Sequence, residues 1–208
     1  AVACALFATT ASASIQLDQS DVPETGAIPV FSIQGSGLDP NGPGLGQTIT
    51  AGLTGRLARI DLMLFATSSG ANQGGVTVSV EKAPGVALAT RHIAFSDLPV
   101  FGPLRDYGQL PQFDFASENI QLVAGETFNV VVTPDAGSSP SAAGYYYFIS
   151  AYSAGAGFAR TSYGDPRYFG DLDQGFRTYM DVPGGAVPEP SLWATLILGF
   201  GLAGRALR

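Results

Sequence analysis

Between Ser14 and about Pro183 the chain never sustains an apolar repeat at helical spacing. Short alternating or β-branched runs recur instead, each stopped by Gly, Pro, Asn or Asp. Val76-Thr77-Val78-Ser79-Val80 is the cleanest of them. Successive side chains of a strand point to opposite faces, so its three valines share one face and its two hydroxyls the other. Further runs fall at 47–51, 57–65, 87–95, 112–115, 127–133, 145–149, 157–161 and 176–180. In 57–65, Leu57, Arg59, Asp61 and Met63 interleave with Ile60, Leu62 and Leu64. Asn72-Gln73-Gly74-Gly75, Pro84-Gly85 and Leu122-Val123-Ala124-Gly125-Glu126 read as turns. Roughly eight to ten short strands at hairpin spacing predict an all-β, antiparallel sandwich or barrel.

The same pattern excludes other folds and chemistries. There is no G-x-G-x-x-G, no P-loop and no alternation of strands with helices, which argues against a nucleotide-binding α/β domain. The net charge of −7 argues against a nucleic-acid surface, and none is expected as a partner. One Cys and one His exclude a disulfide framework and Cys/His metal clusters. They also leave no base for a triad of the usual kind, and His92 sits in a strand-like run.

Both ends read as addresses rather than fold. Residues 1–13 run through Cys4 to Ala11-Ser12-Ala13, an apolar stretch closing on an A-x-A pattern. This resembles the back half of a secretory signal peptide, with cleavage expected after Ala13 and the start of the precursor expected to lie upstream. The alternatives are an N-terminal core element, or a lipid-bearing Cys4. At the other end, Pro188-Glu189-Pro190 leads into an uncharged apolar run from Ser191 to Gly204, and Arg205 and Arg208 follow. That run is shorter than the ~20 residues that span a bilayer comfortably. It suits a transient membrane hold, with the arginines on the cytoplasmic side.

Pro188, Glu189, Pro190, Trp193 and Ala194, with the apolar stretch and the Arg205 and Arg208 end, resemble the PEP-CTERM sorting signal in its Pro-Glu-Pro-x-x-Trp-Ala form. The alternative is an ordinary tail-anchor helix. The resemblance implies processing by an exosortase, a membrane cysteine transpeptidase, with transient anchoring in the inner membrane through the C-terminal helix. It also implies delivery to the outer surface of a bacterium that makes exopolysaccharide. The order of the runs is similar to the jelly-roll modules found upstream of such tails. The expected organisation is therefore a signal-peptide remnant at 1–13, a β-sandwich passenger at 14–183 and a sorting signal at 184–208. The expected fold is all-β, an antiparallel jelly-roll-like β-sandwich followed by a short C-terminal hydrophobic helix.

Three features of the passenger bear on chemistry. The stretch from Gly164 to Asp173 reads as a loop with three aspartates, and Asp165, Asp171 and Asp173 offer hard oxygens suited to a structural Ca²⁺; the alternative is a solvated turn. Asp18, Asp21 and Glu24 read as a solvated extended segment. Most tyrosines lie after residue 144, and Tyr146, Tyr163 and Tyr168 are the candidates for stacking on sugars, against the alternative that the rings pack the core. Asp61, Glu81, Asp114 and Glu118 are candidates in name for a glycosidase carboxylate pair, whose separation no sequence sets. The expectation is a non-catalytic surface or matrix protein, structural, adhesive or exopolysaccharide-binding. A glycan-active enzyme and a membrane-retained interaction module are the rivals.

Overall fold

The computed structural model of the chain describes residues 13–22, 30–32, 44–66, 74–100, 110–135, 143–149, 152–160, 166–168 and 172–183. Fifteen strands follow one another: β1 (Ser14–Asp21), β2 (Val30–Ser32), β3 (Leu45–Thr50), β4 (Gly55–Leu62), β5 (Leu64–Ala66), β6 (Gly75–Ala83), β7 (Val86–Ala94), β8 (Gln112–Asp114), β9 (Gln121–Leu122), β10 (Thr127–Pro134), β11 (Ala143–Ile149), β12 (Gly157–Arg160), β13 (Pro166–Tyr168), β14 (Leu172–Gln174) and β15 (Phe176–Val182). Two single 3₁₀ turns, at Phe95–Asp97 and Ala116–Glu118, are the helical pieces among the described residues. The fold is all-β, and every strand pair in its three sheets is antiparallel.

One sheet runs β1-β15-β4-β8, with β9 also on β4; another runs β13-β12-β3-β10-β6-β7. They share one apolar core. Leu57, Ile60 and Leu62 of β4 and Phe176 and Met180 of β15 meet Ile49, Val76, Val78, Val80, Phe128, Val130 and Val132 of the opposing sheet. The valine face expected for β6 is buried as predicted. Removing such β-branched and aromatic area from water is the main term holding two sheets face to face.

The pairings are nested along the chain. β1 pairs with β15, β3 with β10, β4 with β8 and β9, and β6 with β7. The chain thus runs out through four strands and back through their partners, and it changes sheet at successive steps. A third, smaller sheet joins β14, β11, β2 and β5. β5 continues β4 past Met63, and β14 runs into β15 through Gly175. At that double bend the Met63 N–H donates to the Gly175 carbonyl at 2.8 Å. A Cβ on Gly175 would run into the Met63 side chain, so this close approach requires glycine.

The structure corrects three expectations. The alternation of 57–65 slips, because the β4–β15 register skips Ala58: Tyr179 faces Arg59, whereas Met180 faces Leu57. This bulge lets Leu57 join Ile60 and Leu62 in the core and turns Arg59 and Asp61 outward. Asp18 is not a solvated residue; it lies in β1 and accepts hydrogen bonds from the backbone N–H groups of Gly52 and Leu53 at 2.9 and 2.6 Å. Residues 166–168, expected as loop, form the edge strand β13. The expected C-terminal helix, the sorting signal at 184–208 and residues 1–12 of the expected signal-peptide remnant lie outside the described residues.

Candidate functional site

Along β15, Phe176, Thr178 and Met180 point into the core, so Arg177, Tyr179 and Asp181 point out. β8 does the same, with Phe113 in and Gln112 and Asp114 out. On β4, Arg56 before the bulge and Arg59 and Asp61 after it join the same outer face.

Register arranges these side chains in rows across the strands. One row reads Asp114, Arg59, Tyr179, Leu17. Its neighbour reads Gln112, Asp61, Arg177, Ser20. A third reads Gln121, Arg56, Asp181, Ile15. Cross-strand neighbours sit about 5 Å apart, close enough for each row to interact as a unit.

The interactions are specific. The Arg59 guanidinium lies 3.9 Å from the centre of the Tyr179 ring and pairs with Asp61 at 2.9 Å. Arg56 pairs with Asp181. Asp61 is 3% exposed although it faces outward, because Arg59, Tyr179 and Arg177 close over it. Burial raises its carboxyl pKa above the ordinary range; the nearby Arg59 and Arg177 charges and hydrogen bonds from Tyr179 and Arg59 offset this only in part. The face thus carries three arginines and three aspartates, of which Arg59 with Asp61 and Arg56 with Asp181 are already held as ion pairs. At its β1 end Ile15 and Leu17 are exposed.

Where sheet edges meet, Arg91 of β7 acts as a clasp. Its Nε donates to the Asp114 carbonyl at 2.7 Å, and its guanidinium pairs with Glu118 at 2.6 Å. The Glu118 carboxyl is held below its usual range, chiefly by the Arg91 hydrogen bond. His92 is exposed on β7, with Nε2 2.9 Å from Asp135 Oδ2.

The sequence candidates are dispersed. Of the four carboxylates, Asp61 and Asp114 come onto one face, diagonal to each other on adjacent strands. Glu81 is buried on the outer side of the other sheet, where the Ser79 hydroxyl and the Gly85 N–H donate to it at 3.1 and 2.8 Å. Glu118 belongs to the Arg91 clasp.

Tyr168 is 56% exposed on β13, with its ring 5.8 Å from that of Phe158. Tyr146 pairs through its backbone with Val30, and its side chain is outside the described part of the chain; Tyr163 lies outside the described residues. Asp165 and Asp171 lie outside them too. Asp173 is buried, and Gln47 Nε2 donates to its Oδ1 at 2.8 Å, while the Gln174 N–H donates to Gln47 Oε1 at 3.0 Å. That carboxylate stitches β14 to β3. Among the described residues no group of three or more His, Cys, Asp or Glu is placed to hold a metal ion.

The sorting residues Pro188, Glu189, Pro190, Trp193, Ala194, Arg205 and Arg208 lie outside the described residues. Among those described, no helix is long and apolar enough to cross a membrane. Sequence reasoning missed Arg59, Arg177, Tyr179 and Gln112 as one surface. Their signal was the alternation of charged and apolar residues within β4 and β15, which gives a face but not its neighbours. No protein-family model matches the chain, and no curated protein is significantly similar to it.

Proposed function

We propose that this chain is an exported cell-surface or extracellular-matrix protein, sorted by an exosortase. Its jelly-roll sandwich serves a non-catalytic, adhesive role through binding to exopolysaccharide. The observation that carries the sorting reading is the conjunction at the C-terminus of Pro188-Glu189-Pro190, Trp193-Ala194, an apolar run and arginines. The jelly-roll reading is supported by the nested pairing of β1 with β15, β3 with β10, β4 with β8 and β6 with β7, wound alternately into two facing sheets. The adhesive role is supported by the ordered polar face of Arg59, Asp61, Arg177 and Tyr179.

The intact mass of the mature surface protein tests the sorting reading. The expected mass lacks the segment from Trp193 to Arg208. A mass that retains it overturns exosortase processing and favours a membrane-retained interaction module.

One observation favours a glycan hydrolase instead. Asp61, with its raised pKa, lies diagonal to Asp114 on the same face, as an acid and its partner carboxylate would. Release of reducing ends from the exopolysaccharide, abolished by Asp114→Asn, would establish that reading over the adhesive one.

A further inference from the structure

The outer face of the β1-β15-β4-β8 sheet differs from the rest of the molecule in its charge. The chain as a whole carries −7. On this face Arg56, Arg59 and Arg177 balance Asp61, Asp114 and Asp181. Arg59 and Arg56 are already closed into ion pairs with Asp61 and Asp181, so their field at a distance is small. What remains for a ligand is short-range hydrogen bonding. Gln112 and Asp114 are exposed on β8, and Arg177 is half-buried on β15, two strands away across Asp61. Together they offer donors and acceptors along one face, the arrangement that suits hydroxyls, each of which both donates and accepts. Two of the three rows end on Leu17 and Ile15, 53% and 63% exposed, an apolar shelf for the C–H faces of sugar rings, and the third ends on Ser20.

Resting on the polysaccharide-binding reading, we infer that this face is the binding site and that it selects an uncharged polysaccharide, laid across the strands from Gln112 and Asp114 toward Leu17. Four strands at about 4.8 Å spacing make a track roughly 15 Å long. An acidic polymer would meet no net attraction on the track and repulsion from the rest of the chain. A neutral chain meets neither, and it finds side chains already held by the Arg59–Tyr179 stack and the Asp61 pair, which lowers the entropy lost on binding.

The test uses the exported protein purified from the producing organism. The probe is that organism's own exopolysaccharide, separated by anion exchange into neutral and acidic fractions. The expected result is saturable binding to the neutral fraction, nearly unchanged between roughly 0.05 and 0.5 M salt because no net charge is screened. Gln112→Ala with Arg177→Ala should weaken binding about tenfold or more, since two hydrogen-bonding side chains are lost. Leu17→Glu, at an exposed position that leaves the core intact, should weaken it independently, and Tyr168→Ala should not. Preference for the acidic fraction overturns the inference. So does neutral binding that survives both platform variants, or that Tyr168→Ala abolishes, and in these cases the polysaccharide reading still stands. Binding to neither fraction overturns that reading itself.

Discussion

The outer faces of the two large sheets differ although their inner faces share one core. On the β1-β15-β4-β8 sheet the outward residues are long and charged, and the polar ends of Arg59, Arg177 and Tyr179 reach solvent. On the six-stranded sheet most are small, hydroxylated or apolar, with Glu81, Asn129 and His92 among them. Val131 points away from the core yet is fully buried, and Phe158 is 3% exposed over Gly46, where a Cβ would strike its ring. The Thr48 hydroxyl donates to Asn129 Oδ1 at 2.9 Å, and Glu81 is satisfied by Ser79 and Gly85. One sheet therefore spends its outer side chains on sealing itself, and the other leaves its own available to a ligand. A strand pattern of alternation is compatible with either; the chemistry of the outward residues decides.

The largest effect should come from comparing the aromatic ring of each outer face. Phe158→Ala removes a buried ring from beside a glycine that has no side chain to fill the space, and should destabilise by about 3–4 kcal/mol. Tyr179→Ala removes a half-buried ring and its contact with Arg59, and should cost only about 1–2 kcal/mol. Urea unfolding of both variants checks the order. Equal losses would mean that the face carrying Tyr179 is as much a structural layer as the other.

Asp61 sharpens the comparison because it is the buried acid of the open face. Its folded pKa is raised, so the native state binds the proton more tightly than the unfolded chain. Its contribution therefore makes stability fall as pH rises from about 3.9 through the raised folded value. Asp61→Asn keeps the shape and an acceptor for Tyr179, and leaves Arg59 a third exposed and able to rehydrate. The variant should lie within about 1 kcal/mol of wild type at pH 7. The lead of wild type over it should grow as pH falls to 4. Unfolding midpoints at the two pH values measure this, and a lead that shrinks on acidification would reverse the assignment.

Much of the architecture is legible in the residue pattern alone. The valines of β6, the turn into β10 and the alternation of β15 each follow from local pattern and turn chemistry. What stays hidden requires partners distant in sequence. Ser14–Asp21 has no strong pattern of its own, and it becomes a strand because β15, the last described strand, pairs with it. Asp18 reads as solvated because the backbone N–H groups it accepts from belong to Gly52 and Leu53. The Ala58 bulge is set by pairing with β15, and without it Leu57 reads as facing outward beside Arg59 and Asp61. The stack of Arg59 on Tyr179 joins residues 120 positions apart, visible only once β4 lies beside β15. Residue types could suggest tyrosines for sugars; only register could gather arginines, aspartates and a glutamine into one surface.

The smallest effect belongs to the clasp that holds the open face to the neighbouring edge, and it runs opposite in sign to that of Asp61. Arg91 holds the Glu118 carboxyl below its ordinary pKa. The unfolded chain therefore binds that proton more tightly than the native state. The stability Glu118 contributes is present above its unfolded pKa, about 4.3, and is lost as pH falls through the lowered folded value. Glu118→Gln should remove that acid sensitivity while changing little at neutral pH, because an exposed pair contributes little there. Measured by thermal unfolding from pH 7 down to pH 3, the variant should lose less stability than wild type, whereas Asp61→Asn should lose more. Two carboxylates on either side of Asp114 would then titrate with opposite consequences, because one is buried beneath its arginines and the other meets its arginine in water.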